Sequence, residues 1–175
     1  MPLNGKAGAS RVVVLGIGNV LQTDEGVGPQ SVYEFKRRYD LEPAVTLIDG
    51  GTSSMELLDD MAKADLLLIL DAVSSGRPAG SVVRLSGDEV PQYFTSKLSP
   101  HQVGIADVLA ALALTDESPG ETIIIGVEPA SLKLGMELSP EVAAVVPRVI
   151  DMVIGELRRV GIAIKPLPAA TAVQA

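Results

Sequence analysis

The sequence predicts a three-layer α/β/α sandwich, a single domain built on a mostly parallel, twisted sheet. Three observations carry that prediction. Aliphatic runs of strand length recur at residues 11–15, 44–48, 66–70 and 122–127. Stretches with helical spacing of apolar residues lie between them. Glycines and acids gather just after the strands, where the carboxyl ends of parallel strands open onto a crevice.

The first strand, 11–15, leads into Gly16-Ile17-Gly18-Asn19, a glycine turn, and then the acidic pair Asp24 and Glu25. Val27, Val32, Phe35 and Tyr39 share a helical face, with Lys36, Arg37 and Arg38 in the last turns, where cations suit the helix dipole. Pro29 fits because it lies in the first turn. The second strand, 44–48, ends in Asp49-Gly50-Gly51-Thr52, and Thr52 or Ser53 is placed to cap a helix running through Met61. The third, 66–70, is apolar without alternation, as a central strand covered on both faces should be, and it stops at Asp71.

Residues 81–85 read as a shorter, more polar strand at a sheet edge, and 87–102 read as irregular. The single histidine falls there, in Ser99-Pro100-His101-Gln102. Residues 104–114 are rich in alanine and leucine and read as a helix, followed by the strand 122–127. Ser139-Pro140-Glu141 supplies a capping hydroxyl, a proline at the first helical position and an acid in the first turn. The helix that follows turns Val142, Val145, Val146, Val149, Val153 and Leu157 inward and is expected to kink at Pro147. Residues 11–164 form the expected domain, 1–10 a loose leader and 165–175 a disordered tail.

Composition excludes several classes. The 175 residues are 47% hydrophobic but only 3% aromatic, so the core is aliphatic. No apolar run reaches the length of a membrane span, and no signal-peptide pattern precedes the first strand. A net charge of −8 argues against nucleic acid, whose binding rests on neutralised phosphates. The absence of cysteine removes disulfides, thiolate metal sites and cysteine nucleophiles together, and accords with a cytoplasmic protein. No Gly-x-Ser-x-Gly elbow, phosphate loop or His-Glu-x-x-His is present.

What remains is an edge lined by Asp24, Glu25, Asp49 and Asp71, within reach of a loop bearing His101. Carboxylates with one imidazole form an oxygen and nitrogen set suited to a divalent transition metal or to acid/base work. Each residue has a plainer reading. Asp24 beside a helix start reads as a cap as readily as a ligand, and a lone histidine is commonly structural. Asp71 resists the plain reading, because an acid ending a wholly apolar strand is costly unless paired or in a site. The glycine turn points only weakly to a dinucleotide, since the third glycine of that fingerprint would fall on Leu21.

Six stretches in order carry a family resemblance. They are Gly16-Ile17-Gly18-Asn19 with Thr23-Asp24-Glu25-Gly26-Val27-Gly28, Asp49-Gly50-Gly51-Thr52 with Met55-Glu56-Leu57-Leu58, Leu70-Asp71-Ala72, Ser99-Pro100-His101-Gln102, Gly126-Val127-Glu128-Pro129, and Leu138-Ser139-Pro140. Together they make the chain resemble the nickel–iron hydrogenase maturation endopeptidases, which trim the C-terminal extension of a hydrogenase large-subunit precursor. The resemblance implies that Glu25, Asp71 and His101 meet a nickel ion already installed in the substrate rather than a stored cofactor. It implies a substrate-positioning or catalytic-support role for Asp49. With no serine or cysteine machinery, the expected reaction is attack of water on a carbonyl polarised or positioned by the metal, with a carboxylate of Asp49, Glu25 or Asp71 helping as base, an aspartyl-type reaction. A nickel or precursor chaperone without hydrolysis is the alternative of another class.

Overall fold

The computed structural model describes residues 11–95 and 100–168, with the side chains of residues 100 and 101 left out. The expected leader, 1–10, and residues 169–175 of the expected tail lie outside the described residues.

Five strands form the main sheet: β1 (Val12–Ile17), β3 (Val45–Gly51), β4 (Leu66–Ala72), β5 (Val82–Ser86) and β6 (Glu121–Val127). Their order is β3-β1-β4-β6-β5, parallel throughout except for the edge strand β5, which runs antiparallel to β6. Two-residue strands, β2 (Tyr39–Asp40) and β7 (Lys165–Pro166), pair separately. Lys165 and Pro166 are thus tied down, although they fall in the expected disordered tail.

The strands read as apolar runs because both faces are covered. Val12, Val14, Leu66, Leu68 and Leu70 pack beneath α1 (Val27–Arg38) and α6 (Val146–Arg159). Val13, Leu15, Leu67 and Ile69 face α2 (Leu58–Met61), α3 (Glu89–Thr95) and α4 (Pro100–Leu114). Helical periodicity does the same for the outer layers. Ile105, Val108 and Leu112 of α4 are fully buried at spacings of three and four.

Three local expectations are corrected. Residues 87–102 are not irregular: α3 lies inside that stretch and α4 begins at Pro100. Val90, Tyr93 and Phe94 form the buried stripe of α3, and Pro91 is tolerated in its first turn. The helix ending at Met61 is not capped by Thr52 or Ser53; a 3-10 turn, Met55–Leu57, precedes α2, and Ser54 N–H is held by Glu56 Oε2 at 3.1 Å. Pro147 does not kink one long helix. A short helix α5 (Pro140–Ala143), capped by the Ser139 hydroxyl, ends before it, and α6 restarts with Pro147 in its first turn, where no N–H is needed.

The connections fix where a ligand can sit. The chain leaves β1 toward β3 on one side and then crosses back to β4 on the other. This reversal makes the carboxyl ends of β1 and β4 the switch point of the sheet, the usual crevice of open α/β folds.

Candidate active site at the switch point

The glycine turn after β1 serves backbone packing. Gly18 has φ +136°, and a Cβ there would lie 1.7 Å from the Glu25 carbonyl oxygen. Gly28, at the start of α1, approaches so closely that its Cβ would meet the Leu70 carbonyl at 2.2 Å and that of Ile17 at 2.3 Å. These contacts press the 3-10 turn Thr23–Gly26 against the ends of β1 and β4. Glu25 is thereby carried to the switch point.

Asp24 and Glu25 then part company. Asp24 is wholly buried and accepts four hydrogen bonds: from Ala130 N–H (2.8 Å), Ser131 N–H (2.9 Å), Ser139 N–H (2.7 Å) and the Ser139 hydroxyl (2.9 Å). It caps no helix. It binds the loop between β6 and α5 to the turn after β1. Three main-chain donors and a hydroxyl leave it no role as a ligand.

Asp71 lies in phase with Leu67 and Ile69, so it points toward α3 and α4. It is 1% exposed. Burying a carboxylate costs several kcal/mol unless donors meet it. Its Oδ2 accepts from the Tyr93 hydroxyl at 2.7 Å and from Gln102 Nε2 at 2.7 Å, and Gln102 Nε2 also lies 2.8 Å from the Tyr93 oxygen. The Tyr93 ring is set by an edge contact with Phe94, centroids 5.1 Å apart. Burial first, then the Asp71 carboxylate and more weakly Glu25, hold the Tyr93 phenol far above its ordinary range. Tyr93 therefore remains a neutral donor, and both carboxylates lie within its electrostatic reach.

His101 precedes Gln102 in the first turn of α4, so its backbone stands over the same edge. Its side chain lies outside the described residues. Among the described residues no three His, Asp or Glu side chains gather as a metal-holding cluster. Asp49 is set apart from Asp71. It sits on the outer strand β3, paired with Gly16, exposed, its Oδ1 accepting Gly51 N–H at 3.1 Å. It falls in phase with Val45 and Leu47, on the face of the sheet opposite Asp71.

The sequence reading missed three polar residues here. Tyr93 and Gln102 fell in the stretch read as irregular. Glu128, at the end of β6, is nearly buried and accepts Ser75 N–H (2.6 Å) and the Ser75 hydroxyl (2.7 Å), tying down the loop after β4. A separate apolar cleft of about 340 Å³ between α3 and α4, lined by Val90, Phe94, Ala106 and Leu109, carries no titratable side chain.

The chain and its fold match known proteins. The family model described as hydrogenase maturation protease matches residues 29–156. The chain belongs to the hydrogenase maturation protease family. Hydrogenase 2 maturation protease of Escherichia coli is 45% identical over 153 residues, covering 87% of this chain and 93% of that one. The solved structure of the hydrogenase maturating endopeptidase HybD from E. coli superposes with a TM-score of 0.87 at 44% identity, over 89% of this chain and 97% of that chain. The [NiFe] hydrogenase maturation protease HybD from Thermococcus kodakarensis follows the same fold at a TM-score of 0.69 and 28% identity, over 83% and 98%. This maturation protease is thus a peptidase acting in hydrogenase maturation. Among its described residues no helix is long and apolar enough to cross a membrane.

Proposed function

We propose that this maturation protease removes the C-terminal extension of a nickel–iron hydrogenase large-subunit precursor once nickel has been inserted, and that it reads the nickel on the substrate through Glu25, Asp71 and His101. The observation that supports this reading is the convergence of Glu25 and Asp71 at the switch point, with Asp71 sealed and aimed by Tyr93 and Gln102. Carboxylate and imidazole donors suit nickel without the closed, tight grip that thiolates would give. The ion is part of the substrate and leaves with it.

In the proposed reaction a water oxygen adds to the scissile carbonyl carbon. A carboxylate of the Glu25/Asp71 pair accepts the water proton and returns it to the departing amide nitrogen as the C–N bond breaks. The carboxylates thereby supply the aspartyl-type chemistry. Asp49, exposed on the neighbouring strand, contributes by holding the substrate chain rather than by touching the water. A cytoplasmic setting is part of the proposal, supported by a cysteine-free sequence that needs no oxidising compartment.

The test is an intact-mass assay on nickel-loaded and nickel-free precursor. A C-terminal peptide should be lost from the loaded sample alone. Glu25→Gln and Asp71→Asn should each slow that loss by about 100-fold or more. Full cleavage by both variants, or equal cleavage of nickel-free precursor, would overturn the assignment. Binding of loaded precursor without any cleavage would make the chain a chaperone instead.

A further inference from the structure

Ten large apolar side chains are exposed among the described residues, and five of them fall in two short segments: Val20 and Leu21 after β1, and Leu132, Leu134 and Met136 between β6 and α5. Leu134 is 86% exposed and Met136 72%. The two segments are joined. Gly135 N–H donates to the Leu21 carbonyl at 3.0 Å, Thr23 N–H donates to the Gly135 carbonyl at 2.7 Å, and Gln22 bridges Gly135 in parallel register. The bridge brings Leu21 and Leu134, the residues before Gln22 and Gly135, next to one another along the two segments.

The patch is rigid as well as apolar. Asn19 Oδ1 holds Leu21 N–H at 3.0 Å, and the Thr23 hydroxyl donates to the Ser131 carbonyl at 2.7 Å. The four bonds to Asp24 anchor the far ends of the loop. A loop so firmly held that still shows leucine and methionine to water marks a contact surface. Its position is equally specific, because the anchor, Asp24, is the residue before Glu25. The patch therefore adjoins the turn that carries Glu25.

We infer that this surface is the docking site for the folded body of the hydrogenase precursor, gripping an apolar area next to the C-terminal extension while the extension enters the crevice. The inference rests on the proposed function and adds to it the place where the substrate is held. Two observations choose this occupant. Of the five side chains only Leu134 and Met136 are more than two-thirds exposed, so the patch is on the order of the few hundred Å² of a typical single patch, short of the roughly 800 Å² per partner that a stable dimer uses, and a second copy of the chain fits poorly. A small apolar contact beside the reacting groups instead suits a protein substrate that must bind, be cut and leave.

The experiment compares wild type with the double variant Leu134→Asp/Met136→Asp, and with Leu134→Ser as a milder change, on nickel-loaded precursor. Leu114→Lys is the control, an equally exposed leucine (88%) at the far end of α4, about 18 Å along the helix from Gln102, the α4 residue bonded to Asp71. Circular dichroism and melting curves confirm that each variant is folded. The double variant should raise KM by about 10-fold or more, with kcat held within about twofold and Leu114→Lys unchanged. Unchanged KM in an assay where wild type cleaves overturns the docking site and leaves the peptidase reading standing. A variant that loses only self-association in sedimentation, with KM unchanged, reassigns the patch to a dimer and overturns the inference too. Precursor binding is measured in parallel. Binding by wild type but not by the double variant, without cleavage by either, keeps the docking site and removes the hydrolysis; no binding by wild type removes both.

Discussion

Asp24 and Asp71 are both sealed from water at the same edge of the sheet, and they are satisfied in opposite ways. Asp24 takes three main-chain N–H groups and a hydroxyl, donors fixed by a loop more than a hundred residues away in sequence. Asp71 is aimed at Oδ2 by two neutral side chains, Tyr93 and Gln102, each carried on its own helix. Main-chain donors cannot turn aside to admit anything else, so the first carboxylate is structural. Side-chain donors on two separate helices hold the second in orientation, and such donors can rearrange where main-chain groups cannot. Burial alone therefore does not mark a functional acid; the kind of donor does.

The largest effect should come from Asp24→Ala. It removes the acceptor of three main-chain N–H groups at once and frees the loop 129–139, for an expected loss of about 3–5 kcal/mol, or about 6–20 °C in melting temperature for a chain of this size. A shift of only a degree or two would show that the four bonds do not carry the loop. Tyr93→Phe should be intermediate and should move the other quantity. It removes the hydrogen bond to the Asp71 carboxylate, worth about 1.5–3 kcal/mol, together with the one Gln102 Nε2 donates to the Tyr93 oxygen, leaves no cavity, and should lower kcat by about 10-fold with KM little changed. If the melting temperature falls while kcat holds, Tyr93 is structural and the contrast with Asp24 collapses.

How much of this was legible in the sequence follows from the same distinction. The strands, their parallel order and the acids after them were readable, because apolar runs and the residues that end them are local patterns. Glu25 and Asp71 as candidates followed from that. The role of Asp24 was not readable, since its partners are main-chain groups brought in by the fold and no side-chain pattern encodes them. Tyr93 and Gln102 were lost for a different reason. Gly87, Pro91 and Pro100 break the stretch so often that a seven-residue helix went unread, although Val90, Tyr93 and Phe94 at helical spacing were the signal. Pro147 was overread as a kink because a proline in a long periodic segment looks the same whether it bends one helix or opens the next.

A third acid, far from the crevice, sharpens the comparison with the smallest effect. On α6, Glu156 receives Arg84 Nε at 2.6 Å and Arg159 Nε at 2.7 Å, and Arg159 also reaches Glu121 at 2.7 Å. Burial raises the Glu156 carboxyl, but the two arginines together outweigh it and leave it below the ordinary value of 4.5. A carboxyl lowered in the folded state contributes stability that is complete above its unfolded value and is lost as pH falls through the folded one. Glu156→Gln should therefore cost less than about 1 kcal/mol near neutrality, given the half-exposed arginines, and the gap between variant and wild type in urea unfolding should close below about pH 4. The same gap should shrink in about 1 M salt, where the screening length falls to about 3 Å. The loss from Asp24→Ala should survive that salt, because its carboxylate is buried and its donors are fixed main-chain N–H groups rather than mobile cations. Equal salt sensitivity of the two would mean that Asp24 is held by charge and not by the fixed backbone.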